Sequence, residues 1–93
     1  MLVPSDKATP NSDVIVTELD GEAVLLNMES KMYFSLNATG VSIWKWLDEG
    51  LTLGQIADRL YRDYEVTAEQ AQQCVIDLVT QLNDEQLVGL VRD

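Results

Sequence analysis

The chain has 93 residues, 46% hydrophobic and 24% charged, enough for one small domain that buries a core without disulfides or a structural metal. Six basic residues against 16 acidic ones give a net charge of -10, which argues against nucleic acid and against an anionic membrane surface as partners. A single cysteine, Cys74, and no histidine leave no internal disulfide, no zinc site and no Cys/His or Ser/His catalytic set, and make a reducing, cytoplasmic compartment the expectation.

In chain order, Met1 to Asp13 carries both prolines among Ser, Thr, Asn and Asp, the composition of a flexible N-terminal tail. No basic segment followed by an apolar core opens the chain, so a secretory signal is not expected, and no apolar run approaches a bilayer crossing. Val14 to Leu19 is short and β-branched, a predicted strand. Asp20-Gly21 between apolar runs is a hairpin signal, because both residues tolerate positive φ. Glu22 to Asn27 is the returning strand, and Met28-Glu29-Ser30 a second turn. Lys31 to Leu36 is the third predicted strand, with Met32, Phe34 and Leu36 on one face and Lys31, Tyr33 and Ser35 on the other.

The spacing then changes to that of helices. Asn37 is placed to cap a helix over about Ala38 to Asp48, in which Ile43, Trp44 and Leu47 share a face, Gly40 allows close approach, and Gly50 is the left-handed stop. Thr52 and Gln55 form a capping box, with Leu51 and Ile56 as its staple. Leu53, Ile56, Ala57, Leu60, Tyr61 and Tyr64 follow as an amphipathic stripe. The device repeats at Thr67 and Gln70, with Val66 and Ala71 as staple, and predicts a third helix over about Ala68 to Asn83. Leu87 to Val91 reads as a closing strand or an extended tail packed on the core. The predicted fold is α+β, a small winged-helix-like domain in which a three-stranded antiparallel meander precedes three helices.

Three features exceed what a core needs. On the third helix, Ala71, Cys74, Val75, Leu78 and Leu82 are expected to face the core, with Cys74 as a small buried hydrophobe. Gln72, Ile76, Val79 and Asn83 then form a flanking stripe, half apolar and half amide, that is either a groove wall or a wider core contact. Lys31 to Leu36 ends the meander, so its edge is either blunted by Lys31 or used to add a strand from a partner. Trp44 and Trp46 sit about 160° apart in helical projection, which puts Trp44 in the core and Trp46 at a flank, over the core edge or against a partner. The carboxylates read as a solvated surface. With no nucleophile, base or cofactor motif, neither an enzyme nor a cofactor is expected.

The strings DGEAVLLN, KMYFSLNATGVSIWKWLDEG and TLGQIADRL, followed by Val66-Thr67 and the last amphipathic helix, resemble the PqqD-like family over about Val14 to Leu90. The most specific part is Leu36-Asn37 with Thr39-Gly40 and Ile43-Trp44. The resemblance implies a peptide-recognition domain over residues 14–93. Such a domain binds the leader segment of a ribosomally made precursor peptide and presents it to a modifying enzyme, often a radical S-adenosylmethionine protein. It further implies that the leader adds as a strand to the third strand and lies against the third helix. Carried onto this chain, the peptide-binding residues are Lys31, Met32, Tyr33, Phe34, Ser35, Gln72, Ile76, Val79 and Asn83. The Thr-Gly and Ile-Trp form of the first helix is that of the broad family and less like that of members dedicated to pyrroloquinoline quinone synthesis, so the resemblance implies a related peptide product at least as much as a PQQ-type one. The runner-up is a helix-turn-helix DNA-binding regulator, disfavoured because the third helix has no Lys or Arg and carries Glu69 and Asp77. An adaptor that docks on an enzyme or forms a homodimer through Trp46, without binding peptide, is the third reading.

Overall fold

The computed structural model describes residues 2–91. In chain order the elements are β1 (Lys7–Pro10), β2 (Val14–Leu19), β3 (Glu22–Asn27), β4 (Tyr33–Leu36), α1 (Ala38–Asp48), α2 (Leu53–Asp63), α3 (Ala68–Asp84) and β5 (Val88–Val91). Strands β2, β3 and β4 form an antiparallel sheet in that order, the expected meander, and the three helices follow it. The described residues contain no helix long and apolar enough to cross a membrane.

Each helix begins where side-chain chemistry lets it. Asn37 Oδ1 accepts from the Gly40 N–H at 2.8 Å. Both capping boxes close reciprocally. Thr52 Oγ1 accepts from the Gln55 N–H at 3.2 Å while Gln55 Oε1 accepts from the Thr52 N–H at 2.9 Å. Thr67 and Gln70 repeat the pair at 3.1 and 3.0 Å. Each cap satisfies helix-end donors that would otherwise lack partners and contributes about 1 kcal/mol. At the far end of α1, Gly50 takes φ +88°, and the N–H groups of Gly50 and Leu51 close back onto the carbonyls of Leu47 and Trp46. Gln86 ends α3 in the same way at φ 60°, a conformation a non-glycine residue adopts at some cost. Gly40 allows the close approach expected of it, since a Cβ there would sit 3.1 Å from Leu36 Cδ2.

The core lies between the inner face of the sheet and the helices. Leu25, Ile43, Leu47, Leu53, Ile56, Val75, Val79, Leu82 and Leu87 are essentially solvent-free. Trp44 is buried and Trp46 is half-buried at the core edge, with the Arg59 guanidinium 6.0 Å from the ring centroid. The α2 stripe is buried through Leu60, but Tyr61 is 52% exposed and Tyr64 is half-buried just past the helix end.

Several expectations are corrected. Residues 1–13 have the composition of a tail, yet Lys7–Pro10 form β1, which pairs antiparallel with β5 from Lys7↔Val91 to Pro10↔Val88. That pairing also decides the ending: Leu87 to Val91 contains a strand, not an extended tail. The segment before β1 is tied down too. The Leu53 and Gly54 N–H groups, in the first turn of α2, donate to the carbonyls of Asp6 and Pro4, each at 2.9 Å. Gly54 lets the segment lie close, because a Cβ would sit 3.1 Å from Pro4 Cβ and push it back. Met1 lies outside the described residues. The third predicted strand is shorter than expected: Lys31 takes φ 64° and the strand begins at Tyr33, so Lys31 and Met32 belong to the turn that feeds it.

Candidate functional site

The three-stranded sheet has two edges, and they differ. The β2 edge is open to solvent, with Ile15, Val16 and Leu19 exposed. The β4 edge faces α3 across a groove of ≈ 740 Å³. Its floor and walls come from Phe34, Ser35 and Leu36 of β4, from Gly40 and Ile43 of α1, and from Gln70, Cys74, Asp77, Leu78 and Gln81 of α3.

The register of β4 shows which backbone groups meet the groove. The Asn27 N–H donates to the Met32 carbonyl at 3.0 Å, which makes Asn27 and Met32 a hydrogen-bonded pair. Such pairs alternate along an antiparallel ladder. Leu25↔Phe34 and Ala23↔Leu36 are therefore bonded pairs, and Tyr33 and Ser35 turn their N–H and C=O groups toward the open edge. No strand among the described residues covers that edge. The Tyr33 side chain is 70% exposed on the sheet's outer face, while Phe34 is half-buried toward the groove.

On α3 the structure divides the predicted site. Val79 is 0% exposed and belongs to the core, with Ala71, Val75 and Leu82. Gln72 and Ile76 lie on the opposite flank, where they share a depression of ≈ 20 Å³ with Pro4, Leu53, Gly54 and Ala57. Asn83 is exposed and lines neither. The expected core face, centred between Cys74 and Leu82, is turned by about 40° from the observed one, less than half of one residue's step. That small rotation exchanges the flanks. Cys74, expected in the core, is exposed and lines the groove with Leu78. Apolar spacing alone does not separate the two faces, because Ala71, Val75, Leu78 and Leu82 repeat as cleanly as Ala71, Val75, Val79 and Leu82.

Asp77 is held by a 2.7 Å hydrogen bond from Gln73 Nε2. Partial burial pushes the Cys74 thiol above its ordinary value, and the nearby Asp77 carboxylate pushes it further the same way. Raised and half-shielded, this thiol is a poor nucleophile. The described residues contain no group of three His, Cys, Asp or Glu side chains arranged to hold a metal ion. What the groove offers is a line of unpaired backbone groups, an apolar floor and a few polar side chains.

Two links hold the groove's ends. Asn27 is buried, and its Oδ1 accepts from the N–H groups of Glu29 and Ser30, shaping the turn before β4. Its Nδ2 donates at 3.0 Å to the Gln86 carbonyl just past α3, which also accepts from Asn11 Nδ2. At the other end Tyr64, which lines the groove, shares a 3.1 Å hydrogen bond with Ser42 of α1.

Fold and groove together define a small α+β domain with a free strand edge set against a helix. The chain belongs to the PqqD family: the family model for coenzyme PQQ synthesis protein D matches residues 22–88. Two solved structures are similar to it. TbiB1 in complex with the TbiA(beta) leader peptide has 28% sequence identity and a TM-score of 0.83, over 91% of this chain and 99% of that one. Lasso peptide synthetase B1 complexed with the leader peptide has 28% identity and a TM-score of 0.82, over 89% of this chain and 98% of that one. Among curated proteins no relative matches.

Proposed function

We propose that this chain is a non-catalytic module that binds the leader segment of a ribosomally made precursor peptide and presents it to a modifying enzyme in the cytoplasm. The observation that carries the reading is the open β4 edge, with Tyr33 and Ser35 backbone groups facing a groove walled by α3. A peptide laid there as an added strand gains main-chain hydrogen bonds, and alternate side chains enter the groove. The likeness to two proteins solved with leader peptides supports the same reading. The site residues are Tyr33, Phe34, Ser35 and Leu36 on the strand and Cys74, Asp77, Leu78 and Gln81 on the helix, with Lys31 and Met32 at the entrance to the strand. The product is a PQQ-type or related peptide. A radical S-adenosylmethionine protein, the partner class implied by the family resemblance, is the first enzyme to test.

Amide hydrogen exchange tests it directly. Labelled leader peptides from precursors encoded beside PqqD-family genes are titrated against the protein. Binding should slow exchange at the Tyr33 and Ser35 amides. Absence of binding across the panel, or protection on the β2 edge instead, would overturn the reading.

A further inference from the structure

We propose that the groove selects a basic strand: a peptide segment with a lysine or arginine set against Asp77, apolar side chains set against Phe34 and Leu78, and a second favourable field from Glu22. The inference rests on the peptide-binding reading above and names the chemistry of what is bound.

The charged side chains that line the groove, Glu22 and Asp77, are both carboxylates. The cations Lys45 and Arg59 are placed elsewhere, against Glu18 at 3.2 Å and Glu49 at 3.6 Å. No cation lines the groove, Lys31 standing outside the lining in the turn before β4, and the net charge of -10 adds to the negative field. An acidic segment would bring like charge beside the two exposed carboxylates, and an uncharged one would gain nothing from them. The apolar half of the demand comes from Phe34 and Leu78, half-buried beside the core with one side toward the groove.

The spacing suits a strand. Same-face side chains of an extended peptide recur about every 6.6 Å, and successive turns of α3 rise about 5.4 Å. Neighbouring inward side chains can thus meet successive turns: Cys74, then Asp77 and Leu78, then Gln81. A cation at the inward position that meets the Asp77 and Leu78 turn, and an apolar residue at the inward position two places away, against Phe34 and the Cys74 turn, would satisfy the groove.

A random peptide display library selected on the full chain tests this whatever the natural ligand is. Selected peptides should be enriched in Lys or Arg two positions from an apolar residue. For one such labelled peptide, Asp77→Asn and Glu22→Gln should each weaken binding about three- to fivefold, the scale of a partly exposed ion pair. Raising salt from about 0.05 to about 0.5 M should weaken binding to the wild type more than to either variant. Selection on Asp77→Lys should shift enrichment toward Asp and Glu. Circular dichroism confirms that each variant is folded, and Glu22→Gln carries the test if Asp77 variants are not. Enriched peptides without basic bias, or unchanged affinity in both neutral variants, would overturn the charge selection while leaving peptide binding intact. If no peptide is enriched at all, the binding reading falls and this inference with it.

Discussion

The two flanks of α3 are close to equal as sequence and unlike as structure. Gln70, Cys74, Asp77, Leu78 and Gln81 on one side, and Gln72, Ile76 and Asn83 on the other, are both mixed polar and apolar stripes at helical spacing. One lines a groove of ≈ 740 Å³ beside a free strand edge. The other has only a depression of ≈ 20 Å³, where Gln72 and Ile76 meet Pro4 and Gly54, and Asn83 stands exposed outside it. The difference is made by the segment before β1, whose carbonyls cap α2 and whose Pro4 ring packs against Gly54. A helix face becomes a site through what its neighbours leave uncovered, and here the neighbour is a stretch with the composition of a tail.

The largest expected effect tests the helix rotation. Val79→Glu would bury a carboxylate with no partner and should cost more than about 4 kcal/mol, so that thermal unfolding finds little folded protein at room temperature. A folded Val79→Glu that merely lost peptide binding would return Val79 to the groove wall. Next, Trp44→Ala should cost about 3–5 kcal/mol, as large aromatic truncations do, while Trp46→Ala at the core edge should cost about 1 kcal/mol. Equal losses in the two melts would break the inner and outer sides of α1.

The flanks themselves are separated by a pair of charges. Leu78→Glu should leave the domain folded and weaken a bound peptide about tenfold or more, and Ile76→Glu should change binding less than about twofold. The reverse order would mean that the Ile76 flank is the functional one. Tyr33→Pro removes an N–H that points away from β3, so the hairpin should persist while peptide affinity falls about threefold to tenfold, the worth of one hydrogen bond. Loss of folding would show that the ladder alternates the other way. The smallest effect is chemical. Alkylation of Cys74 should be slow at neutral pH because its thiol titrates above the ordinary value, so that thiolate accumulates only as pH rises through that higher value. A peptide in the groove should slow it further.

Much of the fold was legible because it is local. Asn37, Thr52 with Gln55, Thr67 with Gln70, and Gly50 state their helix boundaries within a few residues, and Asp20-Gly21 states its hairpin. β1 was not legible, since Lys7–Pro10 is only four residues long, places one residue, Ala8, in the core and finds its partner at the opposite end of the chain. Three of the nine site residues expected, Tyr33, Phe34 and Ser35, lie on the groove strand, and Lys31 and Met32 in the turn before it. Cys74, Asp77, Leu78 and Gln81 were missed because a rotation of about 40° is below what apolar spacing alone resolves on a helix with this many hydrophobic positions.

The links at the two ends of the groove bear on speed. Asn27 joins the turn before β4 to the end of α3, and Ser42 with Tyr64 joins α1 to the segment leading into α3. A cleft braced at both ends has little left to order when a ligand arrives, so the entropic cost falls on the peptide. Association should then proceed near the rate set by encounter and orientation, and differences among leader sequences should appear as residence time. For the peptide-presenting role proposed above, the lifetime of the complex becomes the quantity that sequence changes in the peptide adjust.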